Sequence, residues 1–350
     1  VFLKKIAYIE LDTHAEIASL FMSVMKESRS FETDYYFSER IFHLLGKHQH
    51  NIHITEPGSV ADQLKGKNYD LVIIGTVHRY FSIFENICEK YPTAVFVHNV
   101  NFSQASVFQL IKSVFQKDVI YRTKLLVKED LLSAPEVYRK ARARFVLDRN
   151  MAQQGRKYFP LYFSEFYKQT SVPAEPLNVV IPGSVSQRRR DYLHILELLK
   201  SFSAKIKVVF LGKASGKELR WLQRAQKELP DNICIEYFRE KVSAEIFREK
   251  MQAADVLWCP LQKETTFFGI REVYGDTKMS GNIGDAIRYG KIAVFPENDK
   301  SDFPFVIPEN PDHVQEQLIK HASLSYDFEK EFSQMQVLKQ LEEVLNEVAG

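Results

Sequence analysis

From Tyr274 to Pro296 the chain reads Tyr-Gly-Asp-Thr-Lys-Met-Ser-Gly-Asn-Ile-Gly-Asp-Ala-Ile-Arg-Tyr-Gly-Lys-Ile-Ala-Val-Phe-Pro, a loop, a short helix and a buried strand in succession. Ser280 or Asn282 has the side-chain oxygen that caps a helix start by accepting from first-turn N–H groups. Gly281 and Gly284 leave that turn bare enough for a ligand to approach. Ile283, Ala286 and Ile287 follow at helical spacing as one apolar face, and Gly290 supplies the left-handed stop. A small-residue helix start keeps free N–H donors and the positive end of the macrodipole, which suits an anion and phosphate above all. Asp285, about one turn inside, is placed to accept from ligand hydroxyls. The plain alternative is an ordinary αβ unit whose glycines serve packing, so the rest of the chain has to decide.

A second cluster follows the strand Leu177–Ile181, where Pro182 leads into Gly183 and Ser184 and then Arg188, Arg189 and Arg190. A guanidinium pairs bidentately with phosphate oxygens, so one of these could meet the anion held at residue 281. Surface charge is the expectation for at least one of the three, with Arg190 taken as the solvent-facing one. Three histidines, His14, His78 and His98, lie at or just after the ends of strands in the first half. Any one of them fits a structural or solvated role as readily as a catalytic one.

These groups need a scaffold, and the hydrophobic rhythm supplies it. Strand-like runs recur at 5–10, 34–37, 51–55, 71–75 and 94–98 with helical stretches between them, the pattern of a parallel sheet with crossover helices. Functional loops in such sheets follow the carboxyl ends of strands. Residues 145–147 read as one more strand and 150–158 as a helix. Ser171-Val-Pro-Ala-Glu-Pro176 is a stiff linker. The rhythm then restarts with strands at 177–181, 206–211, 233–237 and 256–259, a loop over 260–280, and terminal helices near 312–323 and 327–348. The fold class expected is α/β, two Rossmann-like doubly wound domains facing across a cleft: 1–170, a linker 171–176, and 177–325. A C-terminal helix in 326–350 is expected to pack back on the first domain.

Length and composition agree with this. At 350 residues the chain exceeds one comfortable core. A net charge of +2 gives no case for nucleic acid. Cys88, Cys234 and Cys259 have no metal or disulfide spacing, which fits a reduced, cytoplasmic setting. No apolar run approaches the ~18 residues of a membrane span, and no signal peptide is evident. The chain begins at Val1, so its N-terminus is read as trimmed. The basic run within 137–145 reads first as a solvated helix face, and more sharply as a surface for anionic lipid at the inner face of the membrane.

Taken together, Pro182-Gly-Ser-Val-Ser-Gln-Arg-Arg189 and Thr277-Lys-Met-Ser-Gly-Asn-Ile-Gly-Asp-Ala-Ile-Arg-Tyr-Gly-Lys291 resemble retaining glycosyltransferases of family 4, of GT-B fold, and in particular the bacterial surface-polysaccharide type. The likeness is best over about 177–296. It implies a nucleotide-diphosphate sugar as donor, a glycan or lipid-linked acceptor, no cofactor and no metal. The chain has no Asp-x-Asp for divalent-cation chemistry. By this resemblance Arg189 holds the donor diphosphate, helped by Arg188 or Lys278. Asp285 matches the second of the family's two spaced acids and meets the ribose. Thr277 stands where the first acid belongs, with Glu272, Asp276 or Lys278 as substitutes. Gly183, Ser184, Ser280, Gly281 and Asn282 complete the donor side. His98 is the candidate facing the transferring sugar, with His14 and His78 on the acceptor side. Two alternatives stay open: a nucleotide-sugar 2-epimerase, and a catalytically silent partner subunit, which Thr277 favours. A dinucleotide dehydrogenase is disfavoured, since neither 5–12 nor 179–190 carries G-x-G-x-x-G.

Overall fold

The computed structural model describes residues 3–46, 51–116, 118–166 and 175–350. Most of the linker expected at 171–176 lies outside them. The first sheet is built from β1 (Lys4–Glu10), β2 (Phe31–Phe37), β3 (Ile52–Ile54), β4 (Leu71–Ile74), β5 (Thr93–Phe96), β6 (Ala143–Val146) and β7 (Arg156–Tyr158). Their order is β3-β2-β1-β4-β5-β6-β7, and every pairing is parallel. Next in the chain come β8 (Leu177–Pro182), β9 (Ile206–Lys213), β10 (Ile233–Phe238) and β11 (Val256–Trp258). The hairpin strands β12 (Glu264–Phe267) and β13 (Ile270–Val273) follow, then β14 (Ala293–Phe295) and β15 (Val306–Pro308). The second sheet runs β10-β9-β8-β11-β14-β15, again all parallel.

Both orders reverse direction next to the first strand, between β1 and β4 and between β8 and β11. In open parallel sheets that switch point is where the carboxyl ends of two strands leave a crevice. The strands are apolar on both faces because helices cover both: Leu71, Val72, Ile73 and Ile74 of β4 are all fully buried. Six helices matter for the site and its surroundings: α1 (Ala15–Met25), α2 (Val100–Ser103), α3 (Val107–Val114), α4 (Val119–Lys128), α5 (Gly281–Tyr289) and α6 (Gln334–Ala349). Helix α6 is capped by Ser333, whose hydroxyl accepts from the Gln336 N–H. Its buried residues Val337, Leu338, Leu341, Leu345 and Val348 form one stripe, packed into the core on the α1 side of the first sheet.

Two expectations are corrected. Residues 150–158 are not a helix but a short turn, Arg149–Met151, followed by the edge strand β7. Gln154 and Gly155 both adopt positive φ, 52° and 77°, which no right-handed helix accommodates. The long loop at 260–280 contains the antiparallel hairpin β12–β13, turned by Phe268 and Gly269 at φ 48° and 76°. Two left-handed residues in succession are the geometry of a tight hairpin turn, normally announced by Asn-Gly and here hidden by a phenylalanine. The basic run near 137–145 is neutralised where it is helical, since Arg139 pairs with Glu136 and Lys140 with Glu85 and Glu89.

Candidate active site

A cleft of about 760 Å³ opens between the two domains, lined from the first by His14, His78 and His98 and from the second by Lys278, Gly281 and Asp285. The histidines come from three different loops, after β1, β4 and β5. They meet at the switch point: His14 stacks on His98 at 4.2 Å between ring centroids, and His78 stands edge-on to both at 5.8 Å. His14 reaches this place through a left-handed backbone, φ 61°, at the start of α1, the kind of strained conformation that gathers at functional sites.

Partners assign the protons. His98 Nε2 lies 2.9 Å from the Gly75 carbonyl oxygen, so that nitrogen carries the hydrogen and donates. Nδ1 keeps its lone pair. Burial, reinforced by the charges of His14 and His78, holds His98 well below the ordinary histidine value, so the ring is neutral. Beneath it, Gly75 has no room for a Cβ: one built there would lie 2.4 Å from Glu10 Oε2 and 2.7 Å from the Tyr8 hydroxyl. Glu10 is fully buried at the end of β1, and its carboxyl accepts from the Thr76 hydroxyl at 2.8 Å. Burial raises its pKa well above the usual carboxylate range.

A chain of hydrogen bonds links this wall to the opposite domain. Lys278 Nζ donates to Asn99 Oδ1 at 2.6 Å, which leaves the Asn99 amide N–H to donate to His78 Nε2 at 3.4 Å. His78 therefore carries its hydrogen on Nδ1. Burial lowers its pKa to about 3. Lys278 is lowered to about 8, chiefly by burial, against a partly offsetting attraction from Glu272. Among the described residues Lys278 has no carboxylate within ion-pair distance.

Lys278 is carried there by the β12–β13 hairpin, which crosses from the second domain and clamps onto α2 of the first. Glu272 is fully buried, and its two carboxylate oxygens accept from the N–H groups of Asn101 (3.3 Å) and Phe102 (2.9 Å) at the start of α2. The Val100 N–H donates to the Thr277 carbonyl at 2.9 Å, and the Asn101 side chain to the Arg271 carbonyl at 2.8 Å. Phe267 packs edge-on to Phe102 at 4.9 Å and tilts against His78 at 4.5 Å. Thr277 does not line the cleft; its hydroxyl accepts from the Val273 N–H at 2.8 Å and closes the turn after β13. Neither Thr277 nor Glu272 is free to contact a donor sugar. Asp276 is drawn towards Lys300 at 3.6 Å. Of the substitutes named for the missing acid, only Lys278 faces the cleft.

On the donor side, Ser280 is the cap of α5, accepting from the Asn282 N–H at 3.2 Å. Asn282 is buried and fully committed. Its oxygen accepts from Arg190 Nη2 (2.9 Å) and the Ser280 hydroxyl (3.4 Å), while its amide donates to the Pro182 carbonyl and Asp285 Oδ2, both at 3.2 Å. All four of its hydrogen-bonding positions are used, so Asn282 orients the neighbours rather than meeting a ligand. Burial raises Asp285 to about 6, against the opposing pull of Asn282 and Arg190.

The arginines sort differently from expectation. Arg188 and Arg189 are exposed, whereas Arg190, taken as solvent-facing, is only 8% exposed. The bonds from Arg189 N and Arg190 N to the Ser186 carbonyl close a turn that points the third side chain inward. Gly183, at φ 105°, makes way for it: a Cβ there would lie 2.4 Å from Arg190 Nη2. The Ser184 carbonyl accepts from Nη1 at 3.4 Å. Arg190 Nε is buried with no partner, and among the described residues no carboxylate pairs with this guanidinium. A buried unpaired cation is costly unless an anion completes it. Gly284 is corrected too: its bare face receives the Tyr162 ring, 2.3 Å from where a Cβ would stand, while nothing lies within 4 Å of Gly281.

No protein-family model matches the chain, and no curated protein matches it in sequence. Its fold is similar to solved structures over their whole length. One is AviGT4, a glycosyltransferase involved in avilamycin A biosynthesis (TM-score 0.59, 9% identity, 99% of this chain and 98% of that one). Another is HepE from Anabaena in complex with UDP (TM-score 0.60, 13% identity, 98% and 100%). A third is UDP-GlcNAc 2-epimerase from Neisseria meningitidis bound to UDP-GlcNAc (TM-score 0.52, 11% identity, 98% and 100%). At such identities the likeness is one of fold, and the fold is GT-B: two parallel-sheet domains that face each other across the cleft just described.

Proposed function

We propose that the chain is a glycosyltransferase that moves a sugar from a nucleoside diphosphate sugar to a glycan or glycolipid acceptor. The observation that carries this reading is Arg190: a buried, unpaired guanidinium set against the first turn of α5 with Asp285 one turn along. The diphosphate lies between Arg190, the open N–H groups near Gly281 and, towards the sugar, Lys278. Arg189, whose charge is felt at Lys278, adds to the same field. Ionised Asp285 accepts from the ribose hydroxyls. Charge developing on the leaving diphosphate is stabilised by these fixed donors, so the reading assigns no role to a metal. Neutral His98, with Nδ1 open, faces the transferring sugar, and His14 and His78 border the acceptor. Likeness to family 4 transferases supports retention, with attack from the face that the diphosphate leaves. The fold likeness to the UDP-bound HepE supports a nucleotide-sugar donor, and the reading keeps the cytoplasmic setting that the unpaired cysteines suggest.

The test is incubation of the protein with UDP-, GDP- and ADP-sugars, with and without a mixed glycolipid acceptor. Nucleoside diphosphate release that depends on acceptor, and that falls at least tenfold in His98→Ala while donor affinity holds, is the expected result. Conversion of the sugar's configuration without acceptor would make the chain an epimerase. No turnover of any donor, with nucleotide still bound, would favour the silent subunit that Thr277 suggests.

A further inference from the structure

Of the sixteen exposed large hydrophobic side chains among the described residues, eight fall between Val107 and Val127, on α3, α4 and the turn between them. Phe108 is 75% exposed, Phe115 71%, Ile120 90% and Val127 76%. Both helices already bury an inner face, through Leu110 and Val114 on α3 and Leu125 on α4. Their outer faces are therefore a second apolar surface that no described residue covers, and soluble proteins rarely leave such a patch unused. Lys112, Lys124 and Lys128 stand exposed among these residues, and none of the three makes an ion pair with a described carboxylate. The exposed carboxylate between the helices, Asp118, sits at the start of α4.

We infer that α3 and α4 dock the protein on an anionic bilayer surface, with Phe108, Phe115, Ile120 and Val127 entering the interface and the three lysines meeting headgroups. Apolar residues interleaved with unpaired lysines are the composition of interfacial helices, whereas the core of a protein–protein interface is depleted of lysine. The surface also meets the hairpin that borders the cleft. At the hairpin tip, Gly269 abuts Gln116, Arg122 and Ser113, and Arg122 lies 5.7 Å from the Phe268 ring centroid. The neighbouring Phe267 touches His78. One hairpin turn separates the apolar face from the histidine cluster, so a lipid-linked acceptor seated in the bilayer would lie next to the cleft. The docking itself stands on the exposed residues; only this consequence for the acceptor rests on the transferase reading. The paired basic residues at 139 and 140 play no part in it.

The test is sedimentation of the full chain with vesicles of phosphatidylglycerol and phosphatidylethanolamine, against vesicles of phosphatidylcholine alone. Binding to the anionic vesicles is expected, weakened at least tenfold in Phe108→Ser/Ile120→Ser. The triple variant Lys112→Gln/Lys124→Gln/Lys128→Gln should lose the preference for anionic lipid. Both variants should keep the wild-type melting midpoint and its shift with nucleoside diphosphate, which shows that fold and cleft are intact. Absence of that shift in the wild type would sink the transferase reading and leave docking untouched. No sedimentation with anionic vesicles, or equal sedimentation of the double variant, overturns the docking. So does a wild-type dimer that the double variant converts to monomer, since the face would then belong to a second copy.

Discussion

Asp285 is the residue whose chemistry is most open to measurement. Its carboxyl is raised from 3.8 to about 6, first by burial and then against the lowering influence of Asn282 and Arg190. Between those two values the folded state holds a proton that the unfolded state has lost. The Asp285 contribution to stability therefore declines as pH rises from about 4 to 6 and is gone above it. Donor binding has the opposite sign, because the ionised form is the better acceptor from ribose hydroxyls. Affinity for a nucleotide sugar should rise as pH climbs through about 6, as read by calorimetric titration. Asp285→Asn should flatten that rise and cost roughly ten- to a hundredfold at pH 7.5, the loss of one charge-assisted bond at about 1.5–3 kcal/mol. A pH profile identical in the variant would remove Asp285 from the site. At this scale the residue types were legible in the chain and their directions were not. The spacing that selects Arg189 is a spacing along the backbone, and one residue's rotation in the Ser186 turn hands the inward position to Arg190. Nothing in the string Arg-Arg-Arg says which way that turn closes.

At the scale of elements, the hairpin explains how a residue of the second domain comes to complete the first. Its β strands are short, and its turn uses Phe268, so neither alternation nor an Asn-Gly signal marks it. Glu272 looks like any surface glutamate until α2 is placed over it. Glu272→Ala should leave the Asn101 and Phe102 N–H groups without their buried acceptor and lower stability by about 2–3 kcal/mol, measured by urea unfolding. Because the bond joins the domains, the same variant should separate domain unfolding into two transitions where the parent shows them coupled. Glu272→Gln, which keeps one accepting oxygen, should lose less. Equal midpoints in all three proteins would mean the clamp is incidental. The strands themselves were far more legible. Near-continuous apolar runs such as Leu71–Ile74 are buried on both faces, and only a helix-covered parallel sheet makes that necessary.

For the whole molecule, a chain of 350 residues with one strand rhythm twice over is enough to expect two facing domains, whereas the depth and charge of the cleft depend on how they close. Closure brings the three histidines, with His78 and His98 held neutral by burial, opposite a cationic donor side, Arg190 buried and Arg189 and Lys278 nearby. A diphosphate is the ligand that resolves this imbalance. A nucleoside diphosphate should therefore raise the melting midpoint in EDTA as well as in magnesium. At 100 times its dissociation constant it adds about 2.7 kcal/mol, a shift of only a few degrees in a protein of this size. The nucleoside lacking phosphates should give almost none, because the helix start and guanidinium would meet no charge. Arg190→Ala should abolish most of the shift, and Arg190→Lys should restore part of it, since the charge returns without the planar fork. Arg189→Ala, at an exposed position, should reduce the shift only modestly. A full response in Arg190→Ala with none in Arg189→Ala would return the diphosphate to the outer arginine. A response that appears only with magnesium would mean that the cleft's own cations are insufficient, and the metal-free transferase reading would fall with it.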